Sequence, residues 1–136
     1  MRDAALETAF RATTYRVETP DGSFDLRIGL GNPAFDDFLC RQGVSSWGIV
    51  TAYNPGIVLP EAKNRLHHEQ LQARLQILNW RYLAASNIAD SGIWPSEPGF
   101  CLLQVEEQSL RALAAEFAQL ALVYGETGSV PRLIWI

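Results

Sequence analysis

Apolar positions recur along the chain with two periods, and the switches between them predict the elements. Ala5, Leu6, Ala9 and Phe10 fall on one side of a short helix over residues 4–12. Two period-two stretches follow, Tyr15-Arg16-Val17-Glu18 and Phe24-Asp25-Leu26-Arg27-Ile28, separated by Pro20-Asp21-Gly22. Proline presets turn dihedrals and glycine accepts positive φ, so these segments predict a β-hairpin. In its second strand Phe24, Leu26 and Ile28 share one face, while Asp25 and Arg27 share the other. Asn32-Pro33 then opens a helix through Phe35, Phe38, Leu39 and Cys40, with Asn32 as cap, and Gly43 ends it.

From residue 47 the pattern becomes regular. Residues 47–53 are nearly free of polar side chains, as a strand covered on both faces should be. Residues 60–78 predict a helix and 80–84 a strand, followed by a loop through Asn87, Asp90, Gly92 and Pro95. Residues 100–105 read as strand, 108–119 as helix and 120–124 as strand. A last strand, 133–136, follows the turn Gly125-Glu126-Thr127-Gly128. The order over 46–125 is strand–helix–strand–strand–helix–strand. The expected fold class is therefore α+β, with a ferredoxin-like βαββαβ core, an N-terminal helix, β-hairpin and extra helix before it, and a C-terminal strand after it. Right-handed crossovers place both core helices on one face of the sheet. The opposite face then needs a cover, either the N-terminal helix and hairpin or a homodimer partner. No linker, low-complexity tract or repeat interrupts residues 1–136, so one domain is expected.

Composition narrows the class. A chain of 136 residues with 48% hydrophobic and 19% charged positions is neither disordered nor a coiled coil. The net charge of -4 and the scattering of 11 Lys and Arg argue against a nucleic-acid partner, which needs clustered cations. Cys40 and Cys101, far apart and outside any metal-ligand spacing, read as buried thiols of a reducing compartment. The stretch Met1-Arg2-Asp3-Ala4-Ala5-Leu6-Glu7 carries charges where a signal peptide needs an apolar run. No apolar run is long enough to cross a bilayer, and the expected location is the cytoplasm.

The helix over 60–78 holds the most informative pattern. Leu71, Leu75 and Leu78 form one stripe, and the same stripe extended backwards passes through His68 and Asn64, with His67 on its margin. Its inward face is thus apolar at one end and polar at the other. The polar end faces the end of the preceding strand, Thr51-Ala52-Tyr53-Asn54. A small polar or anionic ligand could use this corner, because free N–H groups and a partial positive charge sit at a helix start. Trp94 and Glu97, in Trp94-Pro95-Ser96-Glu97-Pro98, and Tyr124 are candidates to close over it, and Arg27 is a candidate anion clamp. The plainer alternative is that Asn54-Pro55-Gly56 is a turn, tied to the helix by Asn64 and His68.

Catalytic and cofactor patterns are mostly absent. There is no glycine-rich phosphate loop and no nucleophile elbow. His67 and His68 diverge by about 100° on a helix and do not share a metal. No cofactor or metal is expected. A proton relay between His68 and Glu97 is the one catalytic arrangement that can be assembled.

Leu26-Arg27-Ile28-Gly29, Thr51-Ala52-Tyr53-Asn54-Pro55, Asn64 with His68, Trp94-Pro95-Ser96-Glu97-Pro98 and Val123-Tyr124-Gly125 together resemble an uncharacterised bacterial family. It is the domain-of-unknown-function family numbered 3293. The resemblance implies no activity, but its segments coincide with the corner. Three readings stand open at this point: a non-catalytic binding module, a protein-interaction or homodimerisation domain, and an enzyme using His68 as general acid or base.

Overall fold

The computed structural model describes residues 3–136; Met1 and Arg2, which bear on the signal-peptide reading, lie outside the described residues. The elements are α1 (Ala4–Arg11), β1 (Thr13–Thr19), β2 (Gly22–Leu26), α2 (Pro33–Arg41), β3 (Ser46–Val50), α3 (Glu61–Leu78), β4 (Arg81–Ala89), β5 (Glu97–Leu103), α4 (Glu107–Glu116), β6 (Ala121–Glu126) and β7 (Arg132–Trp135). The fold is α+β: four helices pack on a seven-stranded sheet of order β2-β1-β4-β5-β3-β6-β7, antiparallel at every pairing. Asn32 caps α2 as its sequence suggests, its side chain accepting from the Phe35 N–H at 3.0 Å with Pro33 next to it.

Side-chain alternation along the strands divides the interior into two cores. Phe100 and Leu102 of β5 meet Leu71 and Leu75 of α3 and Leu110 and Leu113 of α4. Both long helices therefore lie on one face, as right-handed crossovers require. Cys101 and Leu103 turn the other way, into a core built on Trp47, Ile49 and the α2 residues Phe35, Phe38 and Leu39.

That second face corrects the expected cover. The hairpin does not lie over the sheet but lengthens it, β1 pairing with β4 from Thr13↔Ala89 to Val17↔Ala85. The covering element is α2, with Phe10 of α1 packed at the margin. A homodimer partner is not needed to shield this face. The same pairing carries β4 well past residue 84, so Asn87 is a strand residue between Tyr15 and Glu97 and not part of a loop. Strand β3 stops at Val50, short of residue 53, and just beyond it the Thr51 hydroxyl donates to the Pro98 carbonyl at 2.7 Å. Among the cysteines only Cys101 is buried; Cys40 is exposed at the outer side of α2, and both are free.

Two glycines permit close approaches on opposite faces of β3. A Cβ on Gly48 would stand 2.3 Å from Leu110 Cδ1, and one on Gly125 would stand 2.5–2.8 Å from the Trp47 indole. The indole is rigid, 2% exposed and packed edge-on against Phe35 at 5.3 Å, so it has nowhere to move. Gly125→Ala is expected to lower stability by about 1–3 kcal/mol, read as a lower urea midpoint at unchanged slope.

Candidate functional site

The start of α3 does meet the end of β3, and two asparagines make the joint. Asn54 adopts φ 46°, the left-handed region that asparagine tolerates better than most residues. Its backbone N–H donates to Asn64 Oδ1 at 2.8 Å. In return Asn64 Nδ2 donates to Asn54 Oδ1 at 2.8 Å and to the Leu59 carbonyl at 3.2 Å. The Leu59 N–H donates to Asn54 Oδ1 at 3.0 Å, and Asn54 Nδ2 donates to Glu97 Oε2 at 2.6 Å. Asn64 is 3% exposed, so these bonds are made away from water. The corner foreseen as a cleft is thus filled: the amides spend nearly all their hydrogen-bonding capacity on holding the 54–59 turn against α3. The plainer alternative describes both asparagines.

Around this knot the other candidates separate. The Tyr53 hydroxyl donates to Glu61 Oε1 at 2.7 Å, and its ring, 6% exposed, stands edge-on to His68 with centroids 6.1 Å apart. Burial, then the bond to Glu61, pushes its hydroxyl up to about 12. His68 stacks on Phe100 at 4.7 Å, with 11° between the rings. It is partly exposed, yet its Nδ1 is enclosed and has no hydrogen-bond partner among the described residues. Burial holds the imidazole below its ordinary pKa, against a smaller opposing effect of Glu69. Glu97 is partly buried, and its burial raises the carboxyl pKa more than the Asn54 bond lowers it. No hydrogen bond joins His68 to Glu97 among the described residues, so the relay considered from the sequence is not assembled; Glu97 turns to Asn54 instead.

Trp94 reaches the rim of this end of the sheet but is 65% exposed. Arg27 is no free clamp: its guanidinium holds Asp90 through both terminal nitrogens at 2.9 and 2.7 Å and also reaches Thr14 Oγ1 and the Arg11 carbonyl. Tyr124 lies away from the corner. Because β6 runs antiparallel to β3, its later residues sit beside the start of β3, and Tyr124 pairs with Gly48 and donates to the Val105 carbonyl. Sequence reasoning passed over three contributors. Glu61 receives the Tyr53 hydroxyl, Phe100 supplies the face under His68, and Gln119 Nε2 donates to the Tyr53 carbonyl at 3.1 Å. Gln119 belongs to Phe117-Ala118-Gln119, which also resembles the family, whereas nothing in the sequence signals the other two. One surface depression runs along Glu61, Arg65 and Glu69 on the first turns of α3, and another lies between α3 and α4. Among the described residues no group of three His, Cys, Asp or Glu side chains could hold a metal ion, and no helix is long and apolar enough to cross a membrane.

Two outcomes follow from this geometry. Asn64→Ala leaves the Asn54 N–H buried without an acceptor and is expected to lose about 2 kcal/mol in denaturant titration. Glu97→Gln keeps an acceptor for Asn54 and removes the charge. A carboxyl whose folded pKa is raised contributes stability that is present below its unfolded pKa and lost as pH rises through its folded pKa. Glu97→Gln is therefore expected to be more stable than the parent at pH 7 and to match it below about pH 4. Unfolding curves at the two pH values check both the sign and the window.

No curated protein and no solved structure gives a significant match to the chain. A family model described as protein of unknown function (DUF3293) matches residues 50–122. That span holds Tyr53, Asn54, Asn64, His68, Trp94 and Glu97 and leaves out Arg27 and Tyr124, the same two residues that the fold sets apart from the asparagine knot. More than half of the chain lies within the match, and the chain belongs to this family of proteins of unknown function.

Proposed function

We propose that the chain is a non-catalytic module that binds a small polar ligand at the open edge of the His68 ring. One observation carries this reading: an imidazole stacked on Phe100, which burial favours in its neutral form, and whose Nδ1 is enclosed without a partner among the described residues. A buried N–H without an acceptor is rarer and more costly than an unused lone pair. The proton therefore belongs on Nε2, which turns a donor toward solvent and selects a ligand with a hydrogen-bond acceptor. The carboxylates of Glu61, Glu69 and Glu97 surround the corner and favour an uncharged ligand over the anionic one also considered from sequence. The same argument disfavours catalysis. Using Nε2 as a base would move the proton to Nδ1, where nothing receives it.

A second reading, a protein-interaction surface, is favoured by Ile57, Val58, Ile93 and Trp94, which are 65–80% exposed at this end of the sheet. Trp135 lends it little, since that indole packs edge-on against Phe10 at 6.0 Å. We also read the core as ferredoxin-like. The order β4-β5-β3-β6, with α3 and α4 as the two crossovers, supports this. Two free cysteines support a cytoplasmic location.

Thermal unfolding across a panel of uncharged and anionic metabolites tests the main reading. An uncharged acceptor at 100 times its Kd is expected to add about 2.7 kcal/mol and raise Tm by several degrees. His68→Phe keeps the ring stack and should lose the shift. Imidazole nitrogen NMR should place the proton on Nε2, with a pKa below 6.5. A panel without any shift, or a shift that survives in His68→Phe, overturns the small-ligand reading. Concentration-dependent self-association abolished by Trp94→Ser would then support the second.

A further inference from the structure

The helices leave one part of the sheet bare. The core under α3 and α4 draws residues from β3, β5, β6 and β7 but none from β1 or β2, and from β4 it takes only Tyr82, at its margin. Strand alternation puts Ala84 and Ser86 on the same face as Tyr82, and Arg16, directly across from Ser86, also faces that way. Among the described residues no helix covers them. Ala84 is exposed although β4 is the third of seven strands. Two small side chains lie here between larger neighbours, and the result is a shelf.

Its inner wall is the binding corner itself. Phe100, the cross-strand partner of Ala84, carries His68 on its outer face. The Tyr82 hydroxyl accepts from Gln72 Nε2 and Gln76 Nε2 at 3.4 and 3.3 Å, which leaves its own proton to be given away. The outer wall is Arg16. Its Nε and Nη2 hold Asp25 at 2.7 and 3.1 Å, which cancels the charge and leaves the Nη1 hydrogens unused. Both walls therefore offer donors. They stand two strand spacings apart, about 10 Å, which suits one substituted ring.

We propose that Ala84 and Ser86 are the floor on which the ligand lies, and that the ligand is a flat, uncharged ring with acceptor groups at two edges, one facing His68 and one facing Arg16. This rests on the His68 reading above and names the ligand class and the residues that set it. A helix-free sheet face ordinarily meets only water. What separates this one is that the row of small residues ends beside Phe100 and the partly exposed His68 ring stacked on it, whose Nδ1 is enclosed without a partner among the described residues.

The test is a titration of the full chain with nicotinamide and with uracil, two flat uncharged rings bearing carbonyl acceptors, followed by amide NMR. The expected result is a set of shifts at residues 14–16 and 84–88 together with residue 68. Ser86→Trp, which fills the shelf, should weaken binding at least tenfold, and Ala84→Leu should do the same if the tryptophan perturbs folding. Benzoate, flat but anionic, should bind more weakly than nicotinamide. Shifts confined to residues 53–68 and 94–97, with Ser86→Trp and Ala84→Leu binding normally, would remove the shelf and leave the His68 site standing. Absence of any shift with both rings would overturn the proposed ligand class, and the metabolite panel decides separately whether the corner binds anything else.

Discussion

The middle strands of the sheet have to be shielded from water on both faces, and the architecture is a response to that requirement. β3, β5 and β6 are buried almost end to end, so neither face can rely on solvent. Two helices shield one side and α2 shields the other. The fit is tightest along β3, where neighbouring residues use opposite solutions. Trp47 fills the α2 side against a glycine on β6, whereas Gly48 yields its side of the strand to Leu110. Burying one large aromatic beside one absent side chain lets layers of unequal thickness share a strand.

The asparagine knot answers a different need. A chain leaving a doubly covered strand must turn sharply while its backbone groups are still shielded. Asn54 supplies the left-handed conformation, and Asn64 supplies partners for the turn's N–H and carbonyl groups. The groups with the most obvious binding chemistry are thereby spent on the fold. The histidine beyond them on the same helical stripe takes no part in the knot and rests on Phe100 instead.

Much of this was legible in the residues. Hydrophobic periodicity located every element, because burial imposes period two on strands and 3.6 on helices. The meeting of the β3 end with the α3 start followed from the stripe that runs from Leu75 through His68 to Asn64. Pairing partners were less accessible. That β1 joins β4 depends on backbone hydrogen bonds, which leave no mark on side-chain identity, so the hairpin was taken for a cover when it is an edge. Strand ends were misjudged for a related reason: backbone pairing stops at Val50 although the apolar run continues to Tyr53. The placement of Tyr124 failed on strand direction. In an antiparallel sheet, the last residue of one strand is beside the first of the next.

The pairing of β1 with β4 also has a temporal side. Synthesis delivers the hairpin first and its sheet partner much later, after α2, β3 and α3 have left the ribosome. A lone two-stranded hairpin is marginal in water. Until β4 arrives, Tyr15, Val17 and Leu26 can pack on α2, Trp47 and Ile49 but lack the strand that pairs with β1. The N-terminal third of the chain is therefore the part made earliest and the part completed late, and the interval between the two is when it is most open to chaperones or to a stray neighbour.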